Sequence, residues 1–265
     1  MEISFYKYHG AGNDFIIVDN RKNLLEWTPD FIRQLCNRRF GIGADGLMLL
    51  QQSENHDFSM RYFNADGREA TMCGNGGRCI VAFAWKLGLI SDETEFMAVD
   101  GIHKAMRYTD GTIALKMTDV STVEQIGNDF FLDTGSPHYV IFVDDVDRMQ
   151  VVEKGRKIRQ DSSISAEGTN VNFVHVLKAG EIAVRTYERG VEDETYACGT
   201  GAVASAIGTY LYSETDIFSY TIQARGGTLS VDFKHSRVKG FYDIWLTGPV
   251  EFVFKGQIAP ANSRI

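Results

Sequence analysis

The sequence repeats itself weakly at one fixed offset. Cys73-Gly74-Asn75-Gly76 lies over Cys198-Gly199-Thr200-Gly201, and 198 − 73 = 125. The same offset of 125 places Phe15–Asp19 over Val140–Asp144 and Gly43-Ala44-Asp45 over Gly168-Thr169-Asn170. It also places Tyr62 over Tyr187, Glu69 over Glu194, and Thr94–Val99 over Ser219–Ala224. Ordered matches at one spacing, without gaps, are the mark of a duplicated unit, and two copies of one unit fold into two similar lobes. The sequence therefore predicts lobes of residues 1–118 and 119–265, joined near Thr118–Asn128, with the last strand able to pack back on the first lobe.

Each lobe reads as strands with a helix. Phe15–Asn20, Leu47–Gln51 and Met60–Phe63 are short apolar runs of strand character. Asp100-Gly101 and Asp110-Gly111 separate alternating segments, which is hairpin chemistry. Thr28-Pro29 opens a short helix, because Thr caps the first amides and Pro tolerates the first helical position. A longer apolar helix follows each Cys-Gly-x-Gly. The economical fold is α+β: two pseudo-symmetric lobes, each a curled, mostly antiparallel sheet around a central helix.

Charge narrows the partners. Lys and Arg number 27 against 35 Asp and Glu, a net charge of −8, so a nucleic-acid backbone is a poor partner. The longest apolar run, Ile80–Trp85, is too short to span a bilayer. Met1-Glu2-Ile3 shows no basic segment before an apolar one, so a cytoplasmic setting with reduced thiols is expected. Neither the four cysteines nor the six histidines fall into a zinc-binding spacing, and no metal is expected. The alternating strands are compatible with a homodimer.

Cys73 and Cys198 each stand just before a helix. The glycines after them let backbone amides point at a ligand, and the helix dipole favours an anion there. The same place favours a thiolate. One such cysteine is ordinarily a small buried hydrophobe. Two at repeat-equivalent positions suit the inversion of a carbon, which needs a proton removed on one face and delivered on the other. Cys36 and Cys79 lack the Gly-x-Gly and read as core. Gly41-Ile42-Gly43-Ala44-Asp45-Gly46 has the letters of a dinucleotide fingerprint, but it precedes an apolar run instead of opening a helix. Asn13 and Asn64 sit in turn-like segments as candidate ligand groups, and His138 is the repeat mate of Asn13. Glu188-Arg189 could meet the ammonium and carboxylate of a zwitterion.

These residues resemble the diaminopimelate epimerase family over nearly the whole chain. The resemblance rests on His9-Gly-Ala-Gly-Asn13-Asp14-Phe15, Phe63-Asn64-Ala-Asp-Gly67, Met72-Cys73-Gly74-Asn75-Gly76, Gly168-Thr-Asn170-Val-Asn172-Phe173, Glu188-Arg189-Gly190 and Ala197-Cys198-Gly199-Thr200-Gly201. It implies interconversion of LL- and meso-2,6-diaminopimelate without pyridoxal phosphate or any other cofactor, in lysine and peptidoglycan precursor synthesis. Carried over, Cys73 and Cys198 are acid and base. Gly74, Asn75, Gly199 and Thr200 hold the reacting carboxylate, and Asn13, Asn64, Asn170, Glu188 and Arg189 fix the rest of the substrate. His138 and Glu188 support catalysis. Some members of the family carry Gln where this chain has Gly46 and Asn where it has Ser136, so those two contacts differ here. The tail Ala259–Ile265 matches nothing in the family pattern and is expected to fray.

A proline racemase or hydroxyproline epimerase, similar in architecture and cysteine pair, is the runner-up; that family has His where this chain has Asn75. A redox or hydrolytic cysteine enzyme would need a His or second Cys at one thiol and leaves the repeat unexplained. A non-catalytic amino-acid binding protein would not need both thiols.

Overall fold

A computed structural model describes residues 2–23 and 25–258 of the chain, so the tail Ala259–Ile265 lies outside the described residues. The chain divides into two compact units: the described residues of Met1–Leu115 with Pro249–Ile265, and Lys116–Gly248.

The first unit runs β1 (Ile3–Gly10), β2 (Asn13–Asp19), α1 (Pro29–Cys36), β3 (Gly46–Gln51), β4 (Phe58–Asn64), β5 (Glu69–Ala70), α2 (Gly74–Lys86), β6 (Glu93–Ala98), β7 (Gly101–Arg107) and β8 (Ile113–Lys116). β1 and β2 are antiparallel, and β2 and β3 are parallel with α1 as the crossover. β3 and β4 are antiparallel, and β4 and β6 are parallel with α2 as the crossover. Each parallel step needs a connection long enough to return the chain, and a helix supplies it. β6, β7 and β8 follow as antiparallel neighbours. The two turns in that meander are Asp100-Gly101 and Asp110-Gly111, the glycines at φ 121° and 88°.

The second unit repeats this order: β9 (Val123–Ile126), β10 (Asp129–Asp133), β11 (Pro137–Phe142), α3 (Val151–Arg159), β12 (Asn170–Lys178), β13 (Glu181–Glu188), β14 (Asp193–Thr195), α4 (Gly199–Ser213), β15 (Ser219–Ala224), β16 (Gly227–Ser236) and β17 (Gly240–Gly248). β11 and β12 are parallel across α3, β13 and β15 are parallel across α4, and the other pairs are antiparallel. The final strand, β18 (Glu251–Ile258), pairs with β1 in the first unit, where it takes the place that β9 takes beside β10.

Strand alternation assigns the two faces of each sheet. In the first unit Ile16, Val18, Leu47, Leu49 and Phe63 join Ile32, Leu35 and Cys36 of α1 in one apolar cluster. The opposite face meets α2, where the Tyr6 ring lies tilted against Phe83 with centroids 4.7 Å apart. In the second unit Val171, Phe173 and Tyr187 pack with Val151 of α3. α4 carries no charged side chain and is buried from Gly199 to Thr209, except for half-buried Thr200. Each cysteine-led helix is therefore the centre of its unit, and its N-terminus is the end that the cysteine caps.

Two elements differ from the sequence reading. The expected linker contains β9, a short edge strand whose burial does not alternate, so no period of two marks it. Helix α3 has Gln150 as its N-cap, which makes no side-chain cap bond, so the residue types that signal a helix start are missing there.

Gly155 of α3 fits closely against Tyr187: an added Cβ would stand 2.4 Å from Tyr187 Cβ and 2.6 Å from its Cγ. Gly→Ala in a helix interior gains up to about 1 kcal/mol of propensity. Overpacking a fixed ring costs roughly 1–3 kcal/mol, so Gly155→Ala should be net destabilising. A lower urea midpoint at unchanged m-value is expected; an unchanged or higher midpoint would show that the ring gives way.

Candidate active site

In the first unit, Cys73 is the N-cap of α2 in extended backbone (φ −99°, ψ 145°), and its Sγ accepts the Gly76 amide at 3.2 Å. The first-turn residues Gly74, Asn75 and Gly76 are buried. Asn13 Oδ1 stands 3.8 Å from Cys73 Sγ, where a protonated thiol donates to it. Asn13 cannot turn that oxygen away, because its Nδ2 donates to Asp45 Oδ2 at 2.6 Å. Asp45 is held by Arg38 at 2.7 Å, and Arg38 also binds Asp14 at 2.7 Å, which Lys7 meets from the other side at 2.6 Å. Burial alone would raise the Asp14 carboxyl, but its bonds to Arg38 and Lys7 outweigh burial and hold it far below the usual carboxylate range. Asn13 opens β2, Gly46 opens β3 and Asn64 closes β4; the register pairs Phe15 with Gly46 and Gly46 with Asn64, so all three lie at one sheet end.

Gly46 has no room for a side chain. An added Cβ would lie 2.5 Å from both Phe63 O and Tyr62 Cε2. The Tyr62 ring, edge-on to Phe15 at 5.9 Å, occupies the space that a longer residue at position 46 would need.

In the second unit, Cys198 is the N-cap of α4, without a side-chain cap bond, and its Sγ lies 3.4 Å from Thr200 Oγ1. Thr200 Oγ1 is 2.9 Å from His138 Nε2, and Ser136 Oγ is 3.0 Å from the same nitrogen. His138 Nδ1 faces Asn172 Nδ2 at 3.0 Å. Thr186 Oγ1 donates to Asn172 Oδ1 at 3.0 Å, which fixes that amide so that its NH₂ points at the imidazole. Nδ1 therefore accepts, and the ring proton sits on Nε2, aimed at the hydroxyls. Burial pushes His138 down to about 3, reinforced by the positive charge of Arg189, so the imidazole is neutral at physiological pH. Gly201 is required here: an added Cβ would stand 2.5 Å from Asn172 Oδ1.

Asn170 is occupied at both ends. Its Oδ1 accepts the Arg189 amide at 2.8 Å, and its Nδ2 donates to Pro137 O at 3.0 Å. It pins the turn that presents Glu188, the last residue of β13, and Arg189. Asn75 is similarly engaged, its Oδ1 accepting from Arg78 Nη2 at 2.7 Å.

The structure thus gathers Asn13, Asn64, Cys73, Gly74 and Asn75 at one end of the first unit. It gathers His138, Asn170, Glu188, Arg189, Cys198, Gly199 and Thr200 at the matching end of the second. Both expected core cysteines, Cys36 and Cys79, are buried, whereas Cys73 and Cys198 are half-buried. Sequence reasoning passed over Asp45, Asn172 and Arg78. Asp45 lies over Asn170 in the repeat and Asn172 lies within a family motif, yet neither was given a role; Arg78 carried no signal beyond its position beside named motif residues.

The family model described as diaminopimelate epimerase matches residues 5–123 and 130–253. The chain is 47% identical over 257 residues to the diaminopimelate epimerase of Flavobacterium psychrophilum, covering 97% of this chain and 100% of that one. It is 41% identical to that of Chlorobaculum tepidum, covering 94% and 98%. Among solved structures, a Bacillus anthracis phenazine biosynthesis protein of the PhzF family shares the fold with a TM-score of 0.78 at 16% identity, covering 98% and 99%. A probable proline racemase from Agrobacterium radiobacter K84 shares it with a TM-score of 0.66 at 13% identity, covering 98% and 94%. The relatives at 41–47% identity and the near-complete family match make this chain a member of the diaminopimelate epimerase family.

Proposed function

We propose that this protein interconverts LL- and meso-2,6-diaminopimelate, in lysine and peptidoglycan precursor synthesis, by a two-base proton transfer between Cys73 and Cys198. The observation that carries this reading is the pair of cysteines at repeat-equivalent helix N-caps, each followed by a glycine-rich first turn. The α-proton beside a carboxylate is very weakly acidic, so the site must stabilise the carbanion. First-turn amides of α2 and α4, from Gly74, Asn75, Gly199 and Thr200, supply that without pyridoxal phosphate when they converge on the carboxylate. One cysteine, as thiolate, takes the α-proton; the C–H electron pair moves into the carboxylate. The other, as thiol, gives its proton to the opposite face and becomes the thiolate, and exchange with water resets the pair.

The remaining roles follow from chemistry. Asn13 and Asn64 offer amides to the substrate. Glu188 suits an ammonium and Arg189 a carboxylate. Asn170 acts through the Arg189 turn that it pins. His138, being neutral, is a donor that orients Thr200 beside Cys198, and it is not itself the proton carrier.

Turnover of LL-substrate in heavy water, stopped early, tests the two-base reading. The meso product should carry deuterium at the inverted carbon while recovered LL-substrate stays almost unlabelled. Label entering substrate and product at the same rate would rule the two-base assignment out. Replacing Cys73 or Cys198 by Ala should lower the rate by about 100-fold or more, since each face then lacks its proton carrier.

The role of His138 has its own test. Unfolded histidine takes up a proton near pH 6.5, whereas the buried ring refuses it until about 3. Unfolding therefore binds a proton in that window, and stability falls as pH falls. From pH 7.5 to 5.0 this one group should cost about 2 kcal/mol, read by urea unfolding. His138→Gln, which keeps a donor and an acceptor, should lose that pH dependence; a variant with the wild-type slope would place the proton elsewhere.

A further inference from the structure

Arg78 lies in the second turn of α2 and is 0% exposed. Its Nη1 donates to Gly74 O at 3.2 Å and its Nη2 to Asn75 Oδ1 at 2.7 Å, so the guanidinium is folded back under the first turn that Cys73 caps. Its Nε has no hydrogen-bond partner. Burial pulls the guanidinium down from its ordinary value, but that value is above about 12, and a guanidinium keeps its charge in a protein.

A buried cation needs an anion, and among the described residues no carboxylate forms an ion pair with Arg78. The carboxylates that β2 and its neighbouring loop bring, Asp14 and Asp45, are bound by Lys7 and Arg38. From β1, Tyr8 is pushed up to about 12 by burial and stays neutral. β7 brings His103 on Asp100, and Arg107 over Trp85. Lys86, at the far end of α2, lies over Phe252 of β18. The ionisable groups that act on Arg78 are the thiols of Cys79 and Cys73. Cys79 does not ionise, because burial drives its thiol well above the usual range. Cys73 is the group left to carry the countercharge.

We propose that the buried Arg78 guanidinium makes Cys73 the thiolate of the resting protein and leaves Cys198 as the thiol. The repeat isolates the device. The mate of Arg78 at the 125-residue offset is Val203, and α4 carries no basic side chain at all. Geometry at the sulfurs agrees: Cys73 Sγ accepts a backbone amide at 3.2 Å, as a thiolate does, whereas Cys198 Sγ lies 3.4 Å from the Thr200 hydroxyl. After Cys73 takes a proton, Asn13 Oδ1 is the acceptor placed for it. Arg78 touches no reacting atom; it is a positioning residue for charge. The inference rests on the two-cysteine reading above, but its test does not use turnover.

The experiment is iodoacetamide alkylation against pH, read by peptide mass mapping. Cys73 is titrated in Cys198→Ala protein and Cys198 in Cys73→Ala protein, both with Arg78 intact. Cys73 should react with a midpoint lower by about one pH unit or more. Arg78→Met should raise the Cys73 midpoint and slow its alkylation at pH 7 on the order of ten-fold, and Arg78→Lys should keep most of the wild-type profile. A lower midpoint at Cys198 overturns the proposal, whether or not the Arg78 variants fold. So does an unchanged Cys73 midpoint in folded Arg78→Met protein. Epimerisation that survives loss of either cysteine would instead overturn the function reading and leave the titration as measured.

Discussion

The first turn of an α-helix carries amide groups that no carbonyl of the helix can accept. In a helix whose N-terminal turns are buried, those amides are still able to serve a ligand. α2 and α4 are such helices, each at the centre of its unit and each begun by a cysteine in extended backbone. The sheets, the crossovers and the flanking helices α1 and α3 can be read as what is needed to bury α2 and α4 and leave their first turns presented. The same geometry concentrates positive potential at the cysteine sulfur and at any carboxylate bound beside it. One arrangement thus serves both needs of proton abstraction next to a carboxylate: a reactive base and a sink for charge.

Rigidity around those first turns comes from different chemistry in the two units. In the first it is ionic: Lys7, Arg38, Asp14 and Asp45 lock the Asn13 amide. In the second it is neutral: Thr186, Asn172, His138, Ser136 and Thr200 pass hydrogen bonds to the hydroxyl beside Cys198. Asn13 and His138 are repeat mates, as are Asp45 and Asn170. The backbone scaffold has been kept while the side chains on it have diverged.

The sequence showed much of this, and the omissions have physical causes. The cysteines, their glycines, both central helices and the hairpins were legible because each rests on local rules: caps, φ > 0 turns and apolar period. The partners of the site residues were not, because they are set by tertiary neighbours. Arg78 looks like any charged residue of a helix until its exposure is known to be 0%. Gly46 reads as a lost contact, yet the structure shows the Tyr62 ring filling its space. Asn170 has the letter of a ligand group, but both ends of its amide are spent on the protein. β9 and β18 show the limit of the repeat itself: they do equivalent work beside β10 and β1, yet one precedes its partner in the chain and the other closes it, so no constant offset relates them.

A reaction that converts one stereocentre into its mirror configuration is nearly symmetric about the carbon, and a duplicated scaffold matches that symmetry in shape. Symmetry in charge would be fatal to it. Two thiolates facing one carbon could remove a proton but not deliver one, and two thiols could deliver but not remove. Repulsion between neighbouring thiolates already keeps one proton on the pair, and a feature that differs between the halves while leaving their geometry equal decides which sulfur holds it. A side chain that carries fixed charge, contacts no substrate and is absent from the other half meets that requirement. Arg78 against Val203 is such a difference, and because it lies beneath the first turn of α2 it can bias ionisation without altering the face that the turn presents.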